Sequence, residues 1–326
     1  MTMMQKFVRL KDTRTDAQPM VTLVLCSYNQ SVFIADAIVA AENVRSLVNA
    51  ELLFIDDGSS DDSFDKAQYA LESSNNYFIA TKANRGLVHS LNVGLSLARG
   101  KFVIFIAADD RLLAEGVADA CARLNEKESA DFFIANAIYF GDGIKRKPVY
   151  QNAHSRFLQA CPSQRSLIVP SALPPPLLLQ ATVFRTSYLL SIGGWDADVI
   201  LDDLPLFLRM FSKCPVLGVN FLYNLQINLC EYRRHENNTH KNIMRVYELY
   251  EECIFRYCDT SMHKSELASA IGMYLLNSVR QRDIKVIGLL FEKALNYRIL
   301  GATLLNMFYR MLYKLKLKIT ERASSV

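Results

Sequence analysis

Short apolar runs alternate with segments of helical spacing along the first 140 residues. The apolar runs predict five strands, over residues 21–26, 52–55, 77–80, 102–107 and 131–135. Apolar residues three and four apart predict the helices between them, over residues 34–44, 63–71, 87–98 and 112–124. Strands that alternate with helices in this way are typical of an α/β fold with a mostly parallel central sheet flanked by helices.

The pattern changes after Gly141. Residues 142–176 include six prolines, which predicts a long stretch of loop and turn. Regular structure resumes over 180–190 and 205–213, and apolar residues recur at helical spacing from Asn242 to the end. We therefore expect an α/β domain over residues 1–240 and a helical C-terminal region over 241–326.

Composition places the chain among ordinary folded proteins. It has 326 residues, of which 51% are hydrophobic and 21% are charged, and its net charge of +4 is too small to indicate nucleic acid as a partner. The seven cysteines are scattered and form no metal-binding pairs, which favours reduced thiols in a cytoplasmic protein. The N-terminus has no apolar run typical of a signal peptide, and no stretch is long enough to predict a membrane span.

Two adjacent carboxylates, Asp56 and Asp57, follow the second strand and precede Gly58 and two serines. Ligands of open α/β sheets bind at the carboxyl ends of strands, where this turn is expected to lie. One of the carboxylates could accept a hydrogen bond from a base or a ribose. The alternative is that both only cap and solvate a turn between strand and helix.

A second pair, Asp109 and Asp110, follows the strand over residues 102–107. Mg²⁺ and Mn²⁺ favour carboxylate oxygens and usually bind one or two of them together with substrate phosphates. The alternative is an exposed turn before a helix, where acidic residues are favoured in any case.

Two further polar clusters follow. Asp202 and Asp203 come shortly after Trp195, and one of them could act as a general base toward a hydroxyl, or could simply cap the next helix. Trp195 suits a buried core position as well as a ligand surface. The segment Tyr232–His235 joins cations to an imidazole that could contact a diphosphate or a metal, although a lone histidine usually does neither.

Taken in order, four segments resemble glycosyltransferase family 2, with its GT-A fold, in the form found in bacterial cell-surface polysaccharide synthesis. The segments are VTLVLCSYN, LLFIDDGSSDDS, KANRGLVHSLNVGLSLARGKFVIFIAADD and RTSYLLSIGGWDADVILDDLPLFLRM. The resemblance covers about residues 20–240. It implies an inverting transfer of a sugar from a UDP- or dTDP-sugar to a hydroxyl of a glycan or lipid-linked acceptor. No dinucleotide fingerprint or P-loop competes with this interpretation.

The resemblance also implies residue roles. Asp203 is the general base, and Asp202 and Trp195 lie on the acceptor side. Asp109 and Asp110 hold Mn²⁺ or Mg²⁺, with His235 as a more speculative ligand. The implied nucleotide-binding residues are Ser27, Tyr28, Asn29, Asp56, Asp57, Arg85 and Asp109.

Two positions depart from the family pattern. Ala107 stands where the family commonly has the first acid of its metal motif, and Pro205 replaces an acid often found after the base. Ala107 supports an alternative function, that of a catalytically inactive nucleotide-sugar-binding homologue that acts as a partner in an assembly. The acidic residue Asp203 argues against that alternative.

The C-terminal tail predicts a basic amphipathic helix. Its apolar positions are Leu304, Leu305, Phe308, Met311, Leu312 and Leu315, and its cations are Arg310, Lys314, Lys316, Lys318 and Arg322. Such a helix favours peripheral contact with an anionic membrane, here the inner face. The alternative is a helix packed on the catalytic domain with solvated lysines.

Overall fold

The computed structural model describes residues 7–161, 177–212, 220–235 and 242–323; at 212 and 313–323 it describes the backbone alone. These residues form two compact units. The first contains the described residues of 1–159, 177–206 and 216–236, and the second contains those of 160–176, 207–215 and 237–326.

One sheet of ten strands forms the centre of the first unit. The strands are β1 Phe7–Asp12, β2 Val21–Ser27, β3 Ala50–Asp56, β4 Tyr77–Lys82, β5 Phe102–Ala107, β6 Arg111–Leu112, β7 Phe132–Phe140, β8 Lys147–Pro148, β9 Thr182–Arg185 and β10 Phe221–Arg233. They lie in the order β1-β4-β3-β2-β5-β9-β7-β10-β6, and β8 pairs with β7.

Helices connect the strands. They are α1 Ile34–Leu47, α2 Ser63–Ala70, α3 Leu87–Leu97, α4 Ala114–Glu126, α5 Asn152–Gln159 and α6 Thr186–Ser191, followed by α7 Asp203–Ser212, which begins in this unit. Every residue of β2 and β3 is buried, which explains why both strands read as continuous apolar runs.

The α/β fold and the five strands predicted for the first 140 residues are confirmed. The four central strands β4, β3, β2 and β5 are parallel to one another, as are β7 and β10. The sheet as a whole is mixed, because β1, β6, β8 and β9 pair antiparallel with their neighbours.

Several elements differ from the sequence prediction, among them the two-residue strands β6 and β8. The polar segment that forms β1 was not predicted as a strand, and its pairing with β4 supplies the reason that it folds as one. The 13-residue β10 was also not predicted, because it contains polar residues and most of its positions are partly exposed, so it lacks an apolar run. Helix α5 lies in the stretch predicted as loop, of which residues 162–176 are outside the described part of the chain.

The second unit is helical, as expected for the C-terminal region. Its long helices are α8 Ile243–Tyr257, α9 His263–Gln281, α10 Ile284–Asn296 and α11 Leu300–Ala323. Helices α9 and α11 approach closely at Gly272, where an added Cβ would lie 3.1 Å from the carbonyl oxygen of Thr303. Within the described residues, no helix is both long and apolar enough to span a membrane.

Candidate active site

Three strand ends bring the candidate residues to one edge of the sheet. In the parallel register Ser27 lies beside Asp56, and Cys26 lies beside Ala107. The backbone N–H of Asp57 donates to the carbonyl of Ser27 at 2.8 Å. The turns that follow β2, β3 and β5 therefore begin at the same level, at the carboxyl edge where ligands of such sheets bind.

Asp56 shapes the turn that follows β3. Its buried carboxylate accepts hydrogen bonds from the N–H of Gly58 at 3.2 Å, the N–H of Ser59 at 3.0 Å and the hydroxyl of Thr81 at 2.6 Å. The Ser59 hydroxyl also donates to it. Because all of these donors belong to the protein, the carboxylate of Asp56 stabilises the turn after β3.

Asp57 is held by a different set of partners. Its Oδ1 accepts from the buried ammonium of Lys82 and from the backbone N–H of Arg85, the latter at 3.0 Å. Among the described residues, no hydrogen bond reaches its other oxygen, Oδ2. One acceptor atom of Asp57 thus remains for a ligand, and the side chain of Arg85 is exposed beside it.

Asn29 joins the turn after β2 to the turn after β3. It adopts a left-handed backbone conformation with φ of 52°. Its amide oxygen accepts from the N–H of Ser60 at 2.8 Å, and its own N–H donates to the hydroxyl of Ser59 at 2.9 Å. Ser27 is buried beneath this junction, whereas Tyr28 is 50% exposed and presents its ring at the surface.

Asp109 pairs with His235 across the sheet edge. The distance from His235 Nε2 to Asp109 Oδ2 is 3.0 Å. His235 follows β10, so the pairing brings together positions 126 residues apart in sequence. The pairing brings together two of the three residues that the family resemblance implied as metal ligands, Asp109 and His235; the third is Asp110.

Asp110 lies deeper and is already bound. Its Oδ1 accepts from the backbone N–H of Arg233 at 2.7 Å, and its Oδ2 accepts from Nε2 of Gln180 at 3.1 Å. Burial, together with the negative charge of Asp109, raises the pKa of the Asp110 carboxyl well above its ordinary value. Neither Asp109 nor Asp110 is in the exposed turn that the alternative interpretation required.

Arg233 fixes the turn that carries both acids. Its Nε donates to the carbonyl oxygen of Asp109 at 2.6 Å, and its guanidinium pairs with Asp36 at 3.1 Å. The guanidinium carbon lies 4.6 Å from the ring centre of Phe33 and 4.3 Å from that of Phe140. A planar cation held between two rings is well suited to keep this turn rigid.

Asp203 stands at the first position of α7. Its Oδ1 accepts from the backbone N–H of Leu179 at 2.6 Å. Burial raises the pKa of the Asp203 carboxyl well above its ordinary value, and the charges of Asp202 and Asp110 raise it further, against a lowering by the Leu179 hydrogen bond. A carboxyl with a raised pKa is suited to proton transfer.

Trp195 supports the same region from the core. Its indole N–H donates to the carbonyl oxygen of Asp202 at 3.1 Å, and its ring packs edge-on against Phe105 at 4.9 Å. Both main-chain polar groups of Trp195 bind the side chain of Asn92. The sequence analysis allowed either a core position or a ligand surface for Trp195. Because Trp195 is only 4% exposed, it is a core residue and does not form part of an acceptor surface.

The residues present can accommodate a divalent metal only with help from a ligand. No group of three His, Cys, Asp or Glu side chains with metal-binding geometry occurs in the described part of the chain. Asp110 is occupied by Arg233 and Gln180, which leaves Asp109 and His235 as protein ligands. Mg²⁺ and Mn²⁺ commonly complete such sets with substrate phosphates and water.

The sequence analysis did not single out Lys82 or Gln180, and it placed Arg233 in a candidate cationic cluster without predicting its hydrogen bonds to Asp109 and Asp110. Lys82 and Gln180 are long polar side chains that the fold buries, at 4% and 9% exposure. Lys82 is the last residue of β4, next to the predicted apolar run, and this position was a usable signal, since buried lysines are almost always paired. Nothing local in the sequence indicated the partners of Gln180 or Arg233.

Comparison with known proteins identifies the family. The sequence profile of glycosyl transferase family 2 matches residues 22–180. Those residues are a family 2 glycosyltransferase domain. The family expected from the four sequence segments is therefore confirmed.

Curated relatives agree with this assignment. EpsH of Bacillus subtilis is 33% identical over 92 residues, which is 28% of this chain and 26% of EpsH. A poly-β-1,6-N-acetyl-D-glucosamine synthase of Staphylococcus aureus is 25% identical over 207 residues, which is 59% of this chain and 46% of the synthase. The chain thus spans less than half the length of these two relatives.

Solved structures confirm the GT-A fold. TarS 1–349 of S. aureus, in complex with UDP-GlcNAc, aligns with a TM-score of 0.57 at 14% identity, over 89% of this chain and 91% of TarS 1–349. The mannosyltransferase PcManGT of Pyrobaculum calidifontis, in complex with GDP-Man and Mn²⁺, aligns with a TM-score of 0.53 at 16% identity, over 90% of this chain and 88% of PcManGT.

Proposed function

We propose that the chain is an inverting glycosyltransferase that moves a sugar from a UDP- or dTDP-sugar to a hydroxyl of a glycan or lipid-linked acceptor. One observation carries the proposal. The consecutive residues Leu179 and Gln180 bind Asp203 and Asp110 respectively, which ties the candidate base to the candidate metal and diphosphate site through one short turn. A transferase needs these two groups next to each other, because the acceptor attacks the carbon that the diphosphate leaves.

The donor base is assigned to Asp57. Its unoccupied Oδ2 can accept one hydrogen bond, and the imide N–H of uracil or thymine supplies one donor. Lys82 and the Arg85 N–H hold the other oxygen and so fix the direction in which Oδ2 points. The exposed ring of Tyr28 offers a stacking surface at the same edge.

Asp203 is assigned the role of general base toward the acceptor. In its ionised form it takes the proton of the acceptor hydroxyl, whose oxygen forms a bond to the anomeric carbon. The bond from that carbon to the diphosphate oxygen breaks on the opposite face, and the nucleoside diphosphate leaves. The Leu179 N–H and the Trp195 indole, which binds the neighbouring Asp202 carbonyl, hold Asp203 in place.

Asp109 and His235 would hold a Mn²⁺ or Mg²⁺ ion, which neutralises charge on the diphosphate when it is bound. The Arg233 clamp keeps the turn of Asp109 in position for that role. Asp110 acts as support, because both of its oxygens already accept hydrogen bonds from the protein.

Calorimetric titration with UDP, dTDP and GDP, each with and without Mn²⁺, tests the donor site. We expect UDP or dTDP to bind, more tightly with Mn²⁺, and GDP to bind more weakly. A folded chain that binds none of them would refute the transferase. The rival function, an inactive nucleotide-sugar-binding partner, predicts binding without turnover, and turnover with any acceptor would exclude it.

We further propose that α11 contacts an anionic membrane surface, where a lipid-linked acceptor would lie. The side chain of Arg310, expected among the exposed cations, is instead buried and donates to Ser269 at 2.8 Å. A separate face of α11 nevertheless exposes apolar side chains, those of Leu304, Leu305, Phe308, Tyr309, Met311 and Leu312. In the sequence, cations follow directly at Lys314, Lys316, Lys318 and Arg322.

Vesicle co-sedimentation tests this contact. We expect binding to phosphatidylglycerol vesicles, weaker binding to phosphatidylcholine vesicles, and loss of binding in a Phe308→Ser/Leu312→Ser variant. A Val32→Ser/Tyr69→Ser variant alters exposed apolar residues of the first unit and serves as the control. Equal binding by all three proteins would refute a role for α11.

A further inference from the structure

A band of cations lies beside the candidate active site, at the edge formed by β6, β7, β8 and β10. Lys147 of β8 pairs in register with Tyr139, and Arg234 continues from β10 with its guanidinium carbon 5.2 Å from the ring centre of Tyr139. The backbone N–H of Arg234 donates to the carbonyl of Phe140 at 2.9 Å. The turn that precedes β8 and the end of β10 are thus parts of one surface.

The positive charge of this band exceeds its negative charge. Its cations are Arg111, Lys145, Arg146, Lys147, Arg233 and Arg234, and its carboxylates are Asp36, Asp142 and Glu231. The carboxylates of Asp109 and Asp110 in the adjoining site lie beside Arg233 as well. Glu231 is shared by Arg111 and Arg146, and Asp36 is shared by Arg111 and Arg233. The exposed Lys145, Lys147 and Arg234 have no ion pair with a carboxylate among the described residues.

Sharing of this kind leaves positive potential at the surface. A surface ion pair contributes about 0–1 kcal/mol, so the pairs with Asp36 and Glu231 do not by themselves explain why so many cations are gathered. Like charges on one surface repel one another and raise the local concentration of anions instead.

The band is continuous with the reaction site. Arg234 lies between Arg233, which binds the Asp109–Asp110 turn, and His235, which pairs with Asp109. An anion held by Lys145, Lys147 and Arg234 would therefore sit next to the diphosphate side of the site. The donor base is assigned to Asp57, at the end of β3, several strands away in the order of the sheet.

We infer that this band binds phosphate groups of the acceptor, so that the acceptor is a phosphate-bearing molecule. The inference rests on the proposed transferase function and adds the acceptor's chemical class to it. Phosphate could come from a lipid-linked diphosphate or from a soluble phosphate-containing glycan, and the two present the same chemistry to the band. Exposed lysines and an arginine fit either, because they can follow a mobile polyanion.

A short linear polyphosphate is the probe, and a Lys145→Ala/Lys147→Ala variant is the test. We expect salt-sensitive binding to the wild-type chain, weakened roughly tenfold to thirtyfold in the variant, at about fivefold per charge. A Lys101→Ala/Lys127→Ala variant makes the same change in net charge at the opposite end of the strands and should bind normally. Binding of UDP with Mn²⁺ should be unchanged in both variants.

Other outcomes would overturn the inference. Equal loss in both variants would mean that net charge alone attracts polyphosphate. Loss of UDP binding together with polyphosphate binding would assign the band to the donor. A wild-type chain that binds polyphosphate but no nucleotide would refute the proposed function and leave an anion-binding surface. If both ligands bind as expected, the two sources of phosphate can be separated by competition. Inhibition by polyphosphate is compared between transfer to an acceptor embedded in phosphatidylglycerol vesicles and transfer to a soluble acceptor.

Discussion

The carboxylate of Asp203 accepts a hydrogen bond from the backbone N–H of Leu179 at 2.6 Å, 24 residues away in the chain. The next residue, Gln180, donates a hydrogen bond from its side-chain amide to Asp110. A single short turn therefore positions two acids, and the negative charge of Asp110 helps to raise the pKa of the Asp203 carboxyl. Such an arrangement holds carboxylates where they are chemically useful at the expense of stability.

Asp203→Asn should abolish transfer and stabilise the fold. Loss of a general base costs on the order of 10²–10⁴ in rate. The folded chain binds a proton at Asp203 more tightly than the unfolded chain does, so ionisation of Asp203 at neutral pH opposes folding, and the amide removes that opposition. Turnover and the unfolding temperature at pH 8 check both effects, with UDP binding as the control. A lower unfolding temperature would contradict the raised pKa.

The rate of transfer should fall on the acid side at a higher pH than an ordinary aspartate would give. Only ionised Asp203 can take a proton, and its pKa is raised. Asp202→Asn removes a neighbouring negative charge and should move the acid limb of the kcat profile to lower pH. Asp16→Asn removes an exposed charge that precedes β2, at the opposite end of the parallel strands, and should leave the limb in place. An unshifted limb in Asp202→Asn would mean that another group controls it.

The central fold could be predicted because its strands are buried on both faces. Strands such as β2 and β3 are recognised in the sequence as continuous apolar runs. Because such strands are expected to be parallel, the acidic turns that follow them are expected at the same edge of the sheet. Asp57, Asp109 and Asp203 were accordingly singled out from sequence alone. Asp57 and Asp109 lie at one edge because both follow parallel strands, whereas Asp203 begins helix α7 and is held by the N–H of Leu179.

Their partners could not be predicted, because each partner comes from a distant segment. Gln180 meets Asp110 across 70 positions, and Arg233 meets it across 123. The strand that carries Arg233 shows no clear alternation of buried and exposed residues, because most of its residues are partly exposed. Contacts of this kind depend on the sheet order, which the local pattern does not encode.

Gly58→Ala should damage the turn after β3, which we propose binds the nucleotide. Gly58 has φ of +74°, and an added Cβ would lie 2.7 Å from the Lys82 carbonyl oxygen and 2.9 Å from the Asn84 nitrogen. The matched control is Gly143→Ala, at φ of +67° with no atom within 4 Å of the added Cβ. The control should cost about 1 kcal/mol from backbone strain, and Gly58→Ala should cost more and weaken UDP binding. Equal unfolding free energies would contradict the close approach.

Arg233→Lys should lower kcat/KM although it keeps the charge. Lysine cannot reproduce the Nε bond to the Asp109 carbonyl or the contact with two rings. A hydrogen bond that involves a charged group contributes about 1.5–3 kcal/mol, so a loss of roughly tenfold to a hundredfold is expected. Arg234→Lys, at the next position, should be close to wild type. Similar losses in both variants would show that charge density, not the clamp, matters.

Glu266 should make the stability of the chain depend on pH. It is buried in α9, its Oε2 has no hydrogen bond within the described residues, and burial raises the pKa of its carboxyl from 4.5 to about 7. Because the folded pKa is the higher one, its contribution is fully present below pH 4.5 and is lost as the pH rises toward 7. The loss amounts to about 3 kcal/mol at 1.36 kcal/mol per pKa unit.

Urea unfolding at pH 5 and pH 8 measures this effect. Glu266→Gln removes the titrating group and should unfold at higher urea than the wild type at pH 8, with a smaller difference between the two pH values. Glu72→Gln alters an exposed carboxylate and should retain the wild-type dependence. If Glu266→Gln instead lost stability at pH 8, Glu266 would be ionised there and paired with a cation. The buried Arg310, whose charge lowers the pKa of Glu266, would be that cation.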